Sequence, residues 1–303
     1  MTDSTSPYQG FKSGFIAIAG PPNVGKSTFL NAIIGQKISI TSEKPQTTRN
    51  RIAGISHHKD AQLIFLDTPG IHLTKKTFNQ KMVDVAFSAI NDVDLILLMV
   101  DAAKPAPRSE NIILERLEKK RKPPVLLALN KIDRVKKPDL LPMIDKWRCA
   151  YPFASIYPVS AKMGTQMDET AEAIKALLPE GPPYYPLDMV TDIPEEFILT
   201  EIIREKVFRL TEEEVPFSTA VSIDLIEEDE EANRVRVNAK IHVERDSQKK
   251  IIIGKNGSKL REIGKAARLE MKRLMGVPVY LNLFIRVEKN WSRDARAIRR
   301  LGY

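Results

Sequence analysis

One segment of the chain has the residue types and the spacing of a phosphate-binding loop. The sequence Gly-Pro-Pro-Asn-Val-Gly-Lys-Ser, residues 20–27, follows the apolar run 15–19 and precedes a stretch typical of the start of a helix. Gly20 and Gly25 let backbone amides curl around a β-phosphate at a helix N-terminus, and Lys26 can reach the β- and γ-phosphate oxygens. The predicted nucleotide contacts of this loop are Gly20, Pro21, Pro22, Asn23, Val24, Gly25, Lys26, Ser27 and Thr28. A glycine-containing turn that binds nothing is the alternative interpretation, but such a turn does not require the full spacing.

A second motif, Asp-Thr-Pro-Gly at residues 67–70, supplies candidates for a metal site and for sensing a terminal phosphate. It follows the apolar run 63–66, so we expect Asp67 at the C-terminal end of a buried strand, where it can hold Mg²⁺ through water. The Ser27 hydroxyl is the predicted direct Mg²⁺ ligand, and the Gly70 amide is expected to donate to the γ-phosphate. Thr68 and Pro69 complete the predicted contacts. Loss of the γ-phosphate would release the segment after Gly70, so hydrolysis would change the shape of the protein.

The sequence Asn-Lys-Ile-Asp at residues 130–133 is predicted to select the base. Asp133 can accept both protons that guanine presents at N1 and at its exocyclic amine, a pattern that adenine lacks. An unpaired buried acceptor costs on the order of 1–3 kcal/mol, which predicts GTP or GDP as the ligand rather than ATP. Asn130 is expected to tie the base side of the pocket to the phosphate loop, and Lys131 to lay its methylene groups on the base plane.

A shorter motif, Ser-Ala-Lys at residues 160–162, follows another apolar run and is predicted to complete the base site. The amide of Ala161 is expected to donate to the guanine O6, with Ser160 bracing the loop and Lys162 beside it.

The composition favours a two-domain protein of a reducing compartment. The chain has 303 residues, enough for two cores, and one cysteine, which excludes a disulfide framework. Cys149 is expected to pack near Trp147. The sequence has no apolar run of about 18 residues, and residues 1–14 are polar rather than typical of a secretion signal, so we expect a cytoplasmic protein. No obligate oligomer is expected.

The net charge of +8 is concentrated at the C-terminal end of the chain. Residues 249–303 contain 15 Lys and Arg against 4 Asp and Glu, whereas the remainder contains 32 against 35. Such an asymmetry is typical of a contact with nucleic acid or with an anionic membrane.

The pattern of apolar runs divides the chain. Up to about residue 179, short apolar runs alternate with helical segments, which predicts an α/β domain with a parallel sheet and helices on both faces. Beyond a proline-rich stretch, the order helix, strand, strand, helix, helix, strand is predicted. The acidic run 227–231 is interpreted as a solvated hairpin loop rather than a metal site. The predicted divisions are a polar tail at 1–12, a nucleotide-binding domain at 13–180, a linker at 181–194, a second domain at 195–290 and a basic tail at 291–303, which either contacts RNA or caps the sheet.

A further motif, Gly-Lys-Asn-Gly at residues 254–257, lies between an isoleucine run and a basic helix. This is the GXXG pattern of a KH domain, whose glycines let bare backbone approach the sugar-phosphates of about four single-stranded nucleotides. Positive charge around the loop would add phosphate attraction that weakens with salt, although a merely solubilising surface is the alternative. The predicted RNA contacts are Ile253, Gly254, Lys255, Asn256, Gly257, Lys259, Arg261 and Lys265, with Lys249 and Lys250 beside them.

With these motifs together, residues 10–300 closely resemble the Era family of bacterial GTPases. The resemblance implies an α/β, P-loop Ras-like GTPase domain followed by an α+β type II KH domain. It also implies a factor in assembly of the 30S ribosomal subunit that binds small-subunit rRNA near its 3′ end. By the same resemblance residues 44–52 form the first switch, in which Thr48, or alternatively Thr47, ligates Mg²⁺ and senses the γ-phosphate. Asn23 matches an asparagine that places a potassium ion in related GTPases.

The predicted catalytic residues are Lys26, Thr48, Asn23 and Gly70. Ile71 occupies the position at which Ras-like proteins carry the glutamine that orients the attacking water. Turnover is therefore expected to be slow, about 10⁻⁴ to 10⁻² s⁻¹, unless RNA or the ribosome completes the site. His72 is the next candidate for placing the water, with an exposed switch residue as the alternative. We expect GTP to order both switches and to set the orientation of the KH domain for RNA capture.

Two other functional classes fit parts of the sequence. A membrane-associated signalling GTPase would place the basic C-terminal end on anionic lipid at the inner face of the cell membrane, but the GXXG motif and the lack of a lipidation motif count against it as the main role. The other alternative is an RNA-binding scaffold with a vestigial nucleotide site, and the intact Lys26, Ser27 and Asp67 count against it.

Overall fold

The computed structural model describes residues 8–41, 52–70, 92–119 and 123–302. The chain divides into two compact units and passes from the first to the second after Asp192. Within the described residues, no helix has both the length and the apolar composition needed to cross a membrane.

The first unit is built on a mixed sheet that is parallel except at one edge. Its strands are β1 (Lys12–Ala19), β2 (Ile52–His57), β3 (Ala61–Asp67), β4 (Leu95–Asp101), β5 (Val125–Asn130) and β6 (Ser155–Pro158). Their order is β2-β3-β1-β4-β5-β6, and β2 alone runs antiparallel to its neighbour, β3. The predicted parallel sheet is confirmed, and β2 is an addition to it. β3, β4 and β5 are buried along their length and mostly apolar, as expected for strands covered on both faces.

Within its described residues, the first unit has the helices α1 (Lys26–Ile34), α2 (Pro107–Glu118), α3 (Lys137–Ala150) and α4 (Met167–Leu177). α2 begins at a proline, which has no N–H to leave unsatisfied, and buries Ile113 and Leu117 against the sheet. On α3, Trp147 is buried in the same core, whereas Cys149 is exposed. The expectation that Cys149 packs is therefore wrong, because two residues along a helix turn a side chain about 200° away from its predecessor.

Residues 181–191, predicted as part of a linker, lie along the strands of the first unit, and we call them the strap. Gln62 on β3, fully buried, anchors the strap. Its Oε1 accepts from the backbone N–H groups of Tyr184 and Tyr185 at 2.7 and 3.0 Å, and its Nε2 donates to the Tyr185 carbonyl at 2.8 Å. One side chain thus satisfies three backbone groups of the strap.

The strap also adds backbone pairing to the edge strand β2. The N–H of Ile55 donates to the Val190 carbonyl at 2.9 Å, and the Thr191 hydroxyl donates to the Ala53 carbonyl at 2.6 Å. The exposed edge of β2 is therefore covered over part of its length, which removes unpaired groups that would otherwise invite association.

The second unit has the predicted order of elements. They are α5 (Glu195–Leu210), β7 (Ala220–Asp229), β8 (Arg234–Val243), α6 (Asp246–Ile253), α7 (Ser258–Met275) and β9 (Val279–Val287), followed by the short α8 (Ala295–Arg300). β7 and β8 are antiparallel, while β8 and β9 are parallel. Alternate residues of β8 enter the core and meet α7 residues that recur every four positions, such as Ile263, Ala267 and Met271. This confirms the α+β type II KH arrangement.

Two further predictions concern the acidic run 227–231 and the basic tail. β7 continues through Asp229, so the hairpin loop consists of residues 230–233 and not of the whole acidic run. Asp229 pairs with Arg234 at 3.0 Å. In the basic tail, Trp291 is fully buried and its Nε1 donates to the Ser218 carbonyl at 3.0 Å. The start of the tail packs into the second unit, as the capping interpretation requires, while Arg299 is exposed.

Replacing Gln62 with Ala should destabilise the first unit by about 2–4 kcal/mol, because three backbone groups of the strap lose their buried partner. Thermal unfolding and the rate of proteolytic cleavage within residues 181–191 would measure the effect. Gln62→Glu should also destabilise the unit at neutral pH, because its second carboxylate oxygen would face the Tyr185 carbonyl that accepts from Nε2 in the native chain. Equal stability of Gln62→Ala and the native chain would contradict this role.

Candidate functional site

The phosphate loop joins β1 to α1 at the C-terminal edge of the sheet. Gly20 and Gly25 have φ of +155° and +102°, in the region that disfavours side chains. A Cβ on Gly20 would lie 2.3 Å from the Met99 carbonyl oxygen, and one on Gly25 would lie 2.4 Å from the Asn130 Nδ2. At both positions a side chain would be disfavoured by the backbone angle and would collide with a neighbouring residue. Asn23, at φ +63°, completes the curled loop.

Lys26, the first residue of α1, points back into the loop. Its Nζ donates to the carbonyls of Gly20 and Pro21 at 3.2 and 2.9 Å. Burial lowers the pKa of Lys26 to about 8, although the negative charge of Asp67 opposes the shift. A buried ammonium held by two carbonyls at a helix N-terminus is well suited to meeting phosphate oxygens.

The candidate metal ligands meet where β3 ends. Ser27 Oγ donates to Asp67 Oδ2 at 2.7 Å, and Ser39 Oγ donates to the same oxygen at 3.0 Å. Asp67 is fully buried. Hydroxyl and carboxylate oxygens at a helix N-terminus are hard ligands of the kind that Mg²⁺ prefers, so these residues fit the metal. Thr48, predicted as a further ligand, and Thr47, Ile71 and His72 lie outside the described residues.

The Asp-Thr-Pro-Gly motif lies directly against the phosphate loop. Thr68 Oγ1 donates to the Ile18 carbonyl at 2.8 Å. A Cβ on Gly70 would lie 2.8 Å from the Cα of Pro22, so only glycine allows this approach of the two backbones. The two motifs are therefore adjacent in the folded protein.

The base-selecting motifs lie together at the ends of β5 and β6. Asn130 Nδ2 donates to the Val24 carbonyl at 2.7 Å, as expected of a link to the phosphate loop. Asn130 Oδ1 accepts from the Ala161 amide at 3.0 Å, so a hydrogen bond from Ala161 to guanine would share or replace this one. Ser160 Oγ donates to Asp133 Oδ1 at 2.6 Å and thereby orients that carboxylate. Asp133 and Lys162 are exposed, so a nucleotide can reach both side chains.

Asp101, a residue that the sequence motifs did not include, contacts this site. Lys131 Nζ lies 2.6 Å from Asp101 Oδ2 and donates to the Asn23 carbonyl at 2.6 Å. Asp101 ends β4 as Asp67 ends β3. The rule that ligands bind beyond the carboxyl ends of parallel strands could have identified it.

The GXXG loop connects α6 to α7. Gly254 has φ +69°, and a Cβ there would lie 2.8 Å from the Lys259 Cβ, whereas Gly257 has φ +72° with open space around it. Lys255, between the glycines, is exposed, and Asn256 has φ +52°. The loop thus presents bare backbone and one cation outward, as phosphate contact requires.

Arg261, predicted to contact RNA, is engaged with the loop itself. Its guanidinium donates to the Asn256 carbonyl at 2.5 Å and to the Gly257 carbonyl at 3.3 Å. Of the other cations around the loop, Lys250 and Lys265 are exposed, while Lys249 and Lys259 are half-buried. Arg261 therefore braces the GXXG loop from the first turn of α7, in addition to adding positive charge.

Comparison with known proteins agrees with both sites. Residues 15–131 match the family model described as 50S ribosome-binding GTPase, and residues 214–292 match the KH domain model. The chain is 50% identical to GTPase Era of Geobacter metallireducens over 97% of this chain and 98% of that protein. It is 48% identical to GTPase Era of Staphylococcus haemolyticus over 96% of this chain and 97% of that protein. The chain belongs to the Era family.

Solved structures of this family share the architecture. One is a variant of Aquifex aeolicus Era bound to GDP and AlF₄⁻, with a TM-score of 0.92 and 43% identity over 97% of this chain and 99% of that chain. Another, Era in complex with MgGDPNP and nucleotides 1506–1542 of 16S ribosomal RNA, gives the same TM-score of 0.92, identity of 43% and coverage of 97% and 99%. This chain is therefore a GTPase that carries a GTPase domain and a KH domain.

Nucleotide affinity should depend on pH through Lys26. The free protein has a Lys26 pKa of about 8, and bound phosphates would raise it, so binding takes up a proton above that pH. Affinity for GDP is expected to be flat below pH 8 and to fall by up to about tenfold per unit above it, until the pKa of the complex is reached. Calorimetric titrations between pH 6.5 and 9.5 would measure this. Lys26→Met should bind weakly with no such decline; a decline of the same slope in Lys26→Met would assign it to another group.

Proposed function

We propose that this GTPase binds single-stranded small-subunit rRNA near its 3′ end through the GXXG loop and acts in assembly of the 30S ribosomal subunit in the cytoplasm. The observation that carries the proposal is the GXXG loop, whose backbone is bare at its two positive-φ glycines and which has lysines around it. The complex of a 43% identical Era with 16S ribosomal RNA supports the choice of RNA. The GTP site of the same chain would time the capture and release of that RNA.

In the proposed nucleotide site, the phosphate loop and Lys26 hold the β- and γ-phosphates, and Asp133 and Asn130 hold guanine. Ser27 and Asp67, with Thr48, would hold Mg²⁺, which when bound neutralises charge on the phosphates. Lys26 supplies a fixed positive charge within the loop, and Gly70 supplies a backbone donor near the γ-phosphate. Asn23 is the proposed contact for potassium. The aliphatic Ile71 cannot orient the attacking water, so the proposed intrinsic rate is low.

The base assignment is tested by Asp133→Asn. Because an amide presents an N–H donor to the position that the guanine amine occupies, GTP affinity should fall by about 100-fold, whereas XTP, which carries a carbonyl there, should gain. Competition between fluorescent GDP and each unlabelled nucleotide would measure the exchange of preference. Unchanged preference for GTP over XTP would overturn the placement of the base at Asp133.

The RNA assignment is tested by Gly257→Asp, which places a carboxylate and a strained φ in the loop. Binding of a short single-stranded RNA with the sequence of the 3′ end of small-subunit rRNA should weaken by at least about tenfold. Gly276→Asp is the matched control, since Gly276 has φ +74° and open space but lies at the other end of α7. Fluorescence anisotropy with GDP and with a non-hydrolysable GTP analogue should show tighter binding with the analogue.

Three outcomes would contradict the RNA proposal. In the first, Gly257→Asp binds RNA as tightly as the native chain does. In the second, Gly276→Asp loses as much RNA affinity as Gly257→Asp. In the third, RNA affinity is the same with GDP as with the GTP analogue. If RNA binding ignores the loop and the protein sediments with anionic lipid vesicles, the basic surface serves a peripheral membrane contact instead.

A further inference from the structure

We propose that Asp101 is a positioning residue of the nucleotide site, which acts through Lys131 to slow the release of bound guanine nucleotide. This inference rests on the proposed placement of guanine beside residues 130–133. It adds to that site a residue from β4, a strand that otherwise contributes no side chain to the proposed contacts.

The carboxylate of Asp101 is fixed at both oxygens. Oδ1 accepts from the backbone N–H groups of Ala103 and Lys104, each at 2.9 Å, and Oδ2 lies 2.6 Å from Lys131 Nζ. The residue is buried, with 8% of its surface exposed. Its position is further set by the strand, because β4 pairs with β5 in a register that places Asp101 opposite Asn130.

Lys131 connects the end of β5 to the phosphate loop. It follows β5 at φ +66°, a left-handed conformation that costs free energy in a non-glycine residue, and its Nζ donates to the Asn23 carbonyl of the phosphate loop at 2.6 Å. The side chain must therefore cross from the end of β5 to the phosphate loop. Along that path its methylene groups are available to cover one face of a bound base.

The ion pair with Asp101 keeps Lys131 on this path. A lysine side chain loses rotamer entropy when it is held in one conformation, so an unassisted Lys131 would spend much of its time in solvent. The side chains are 24% and 9% exposed, so the pair is screened less than a surface pair. Without the Asp101 carboxylate, the Lys131 ammonium keeps only the Asn23 carbonyl of these two acceptors. The Lys131 methylene groups would then no longer be held against the face of the base.

A purely structural role for Asp101 makes a different prediction from a positioning role. Through Oδ1 the residue also caps the turn after β4, and loss of that cap alone would loosen the first unit. Asp101→Asn separates the two roles, because the amide oxygen can still accept from Ala103 and Lys104 while the negative charge opposite Lys131 is removed.

The first measurement is the dissociation rate of a fluorescent GDP from the full chain. Asp101→Asn should release GDP about tenfold faster, with a smaller change in the single-turnover rate of GTP hydrolysis and little change in unfolding temperature. Asp94→Asn is the matched control. Asp94 lies at the opposite end of β4, where its Oδ2 accepts from the Phe15 N–H at 2.7 Å, and its replacement should leave the release rate at the native value.

A double-mutant cycle with Lys131→Ala decides whether Asp101 acts through Lys131. If it does, Asp101→Asn should add almost nothing to the faster release of Lys131→Ala. The inference is overturned if Asp101→Asn releases GDP at the native rate, or if the two effects multiply. Two failures can be told apart with Asp133→Asn. If guanine does not lie at Asp133, this variant keeps the native preference for GTP over XTP. If only the role of Asp101 is wrong, the variant still shifts its preference from GTP to XTP.

Discussion

The arrangement of the nucleotide site depends on the side chain of Asn130. Asn130 is 2% exposed, and its side-chain amide spans from the carbonyl of Val24 in the phosphate loop to the backbone amide of Ala161. Three segments far apart in the sequence are thus held by one planar group with both of its ends in use. Since the guanine and the phosphates of one nucleotide are separated by a ribose, their two receptor surfaces must keep a fixed distance, and Asn130 supplies that constraint. The restriction to glycine at position 25 follows, because a Cβ there would collide with the same amide.

Much of this site was accessible from the sequence, because the chemistry fixes residue types at short spacings. Phosphate loops need glycine at particular backbone angles, and base selection needs a carboxylate after a buried strand, so local patterns suffice. The long apolar runs of β3, β4 and β5 likewise identify central strands. β2 was missed because its sequence, Ile-Ala-Gly-Ile-Ser-His, mixes small and apolar residues. Its burial is decided by what packs on it rather than by its own pattern.

The features that the sequence did not predict are contacts between segments distant in the chain. Gln62 resembles any polar residue on a strand, and only the structure shows that it is fully buried and bonded to Tyr184 and Tyr185. Asp101 acquires its partner from a different strand. Arg261 was predicted as an RNA contact from its charge, whereas its hydrogen bonds show that it also braces the GXXG loop. In each case the residue type permits several roles, and the tertiary partner selects one.

The strap determines how much torsional freedom remains in the covalent connection between the two units. Thr191 is held by the Ala53 carbonyl, and Ile193 packs against the core of the second unit. Asp192 alone separates them, and Pro194, with φ −56°, precedes α5. The crossing after Thr191 is thus a few backbone torsions rather than a length of flexible chain. The proline-rich composition that predicted a linker therefore belongs to a segment fixed on the first unit, and the chain between residues 191 and 193 contributes one residue of spacing.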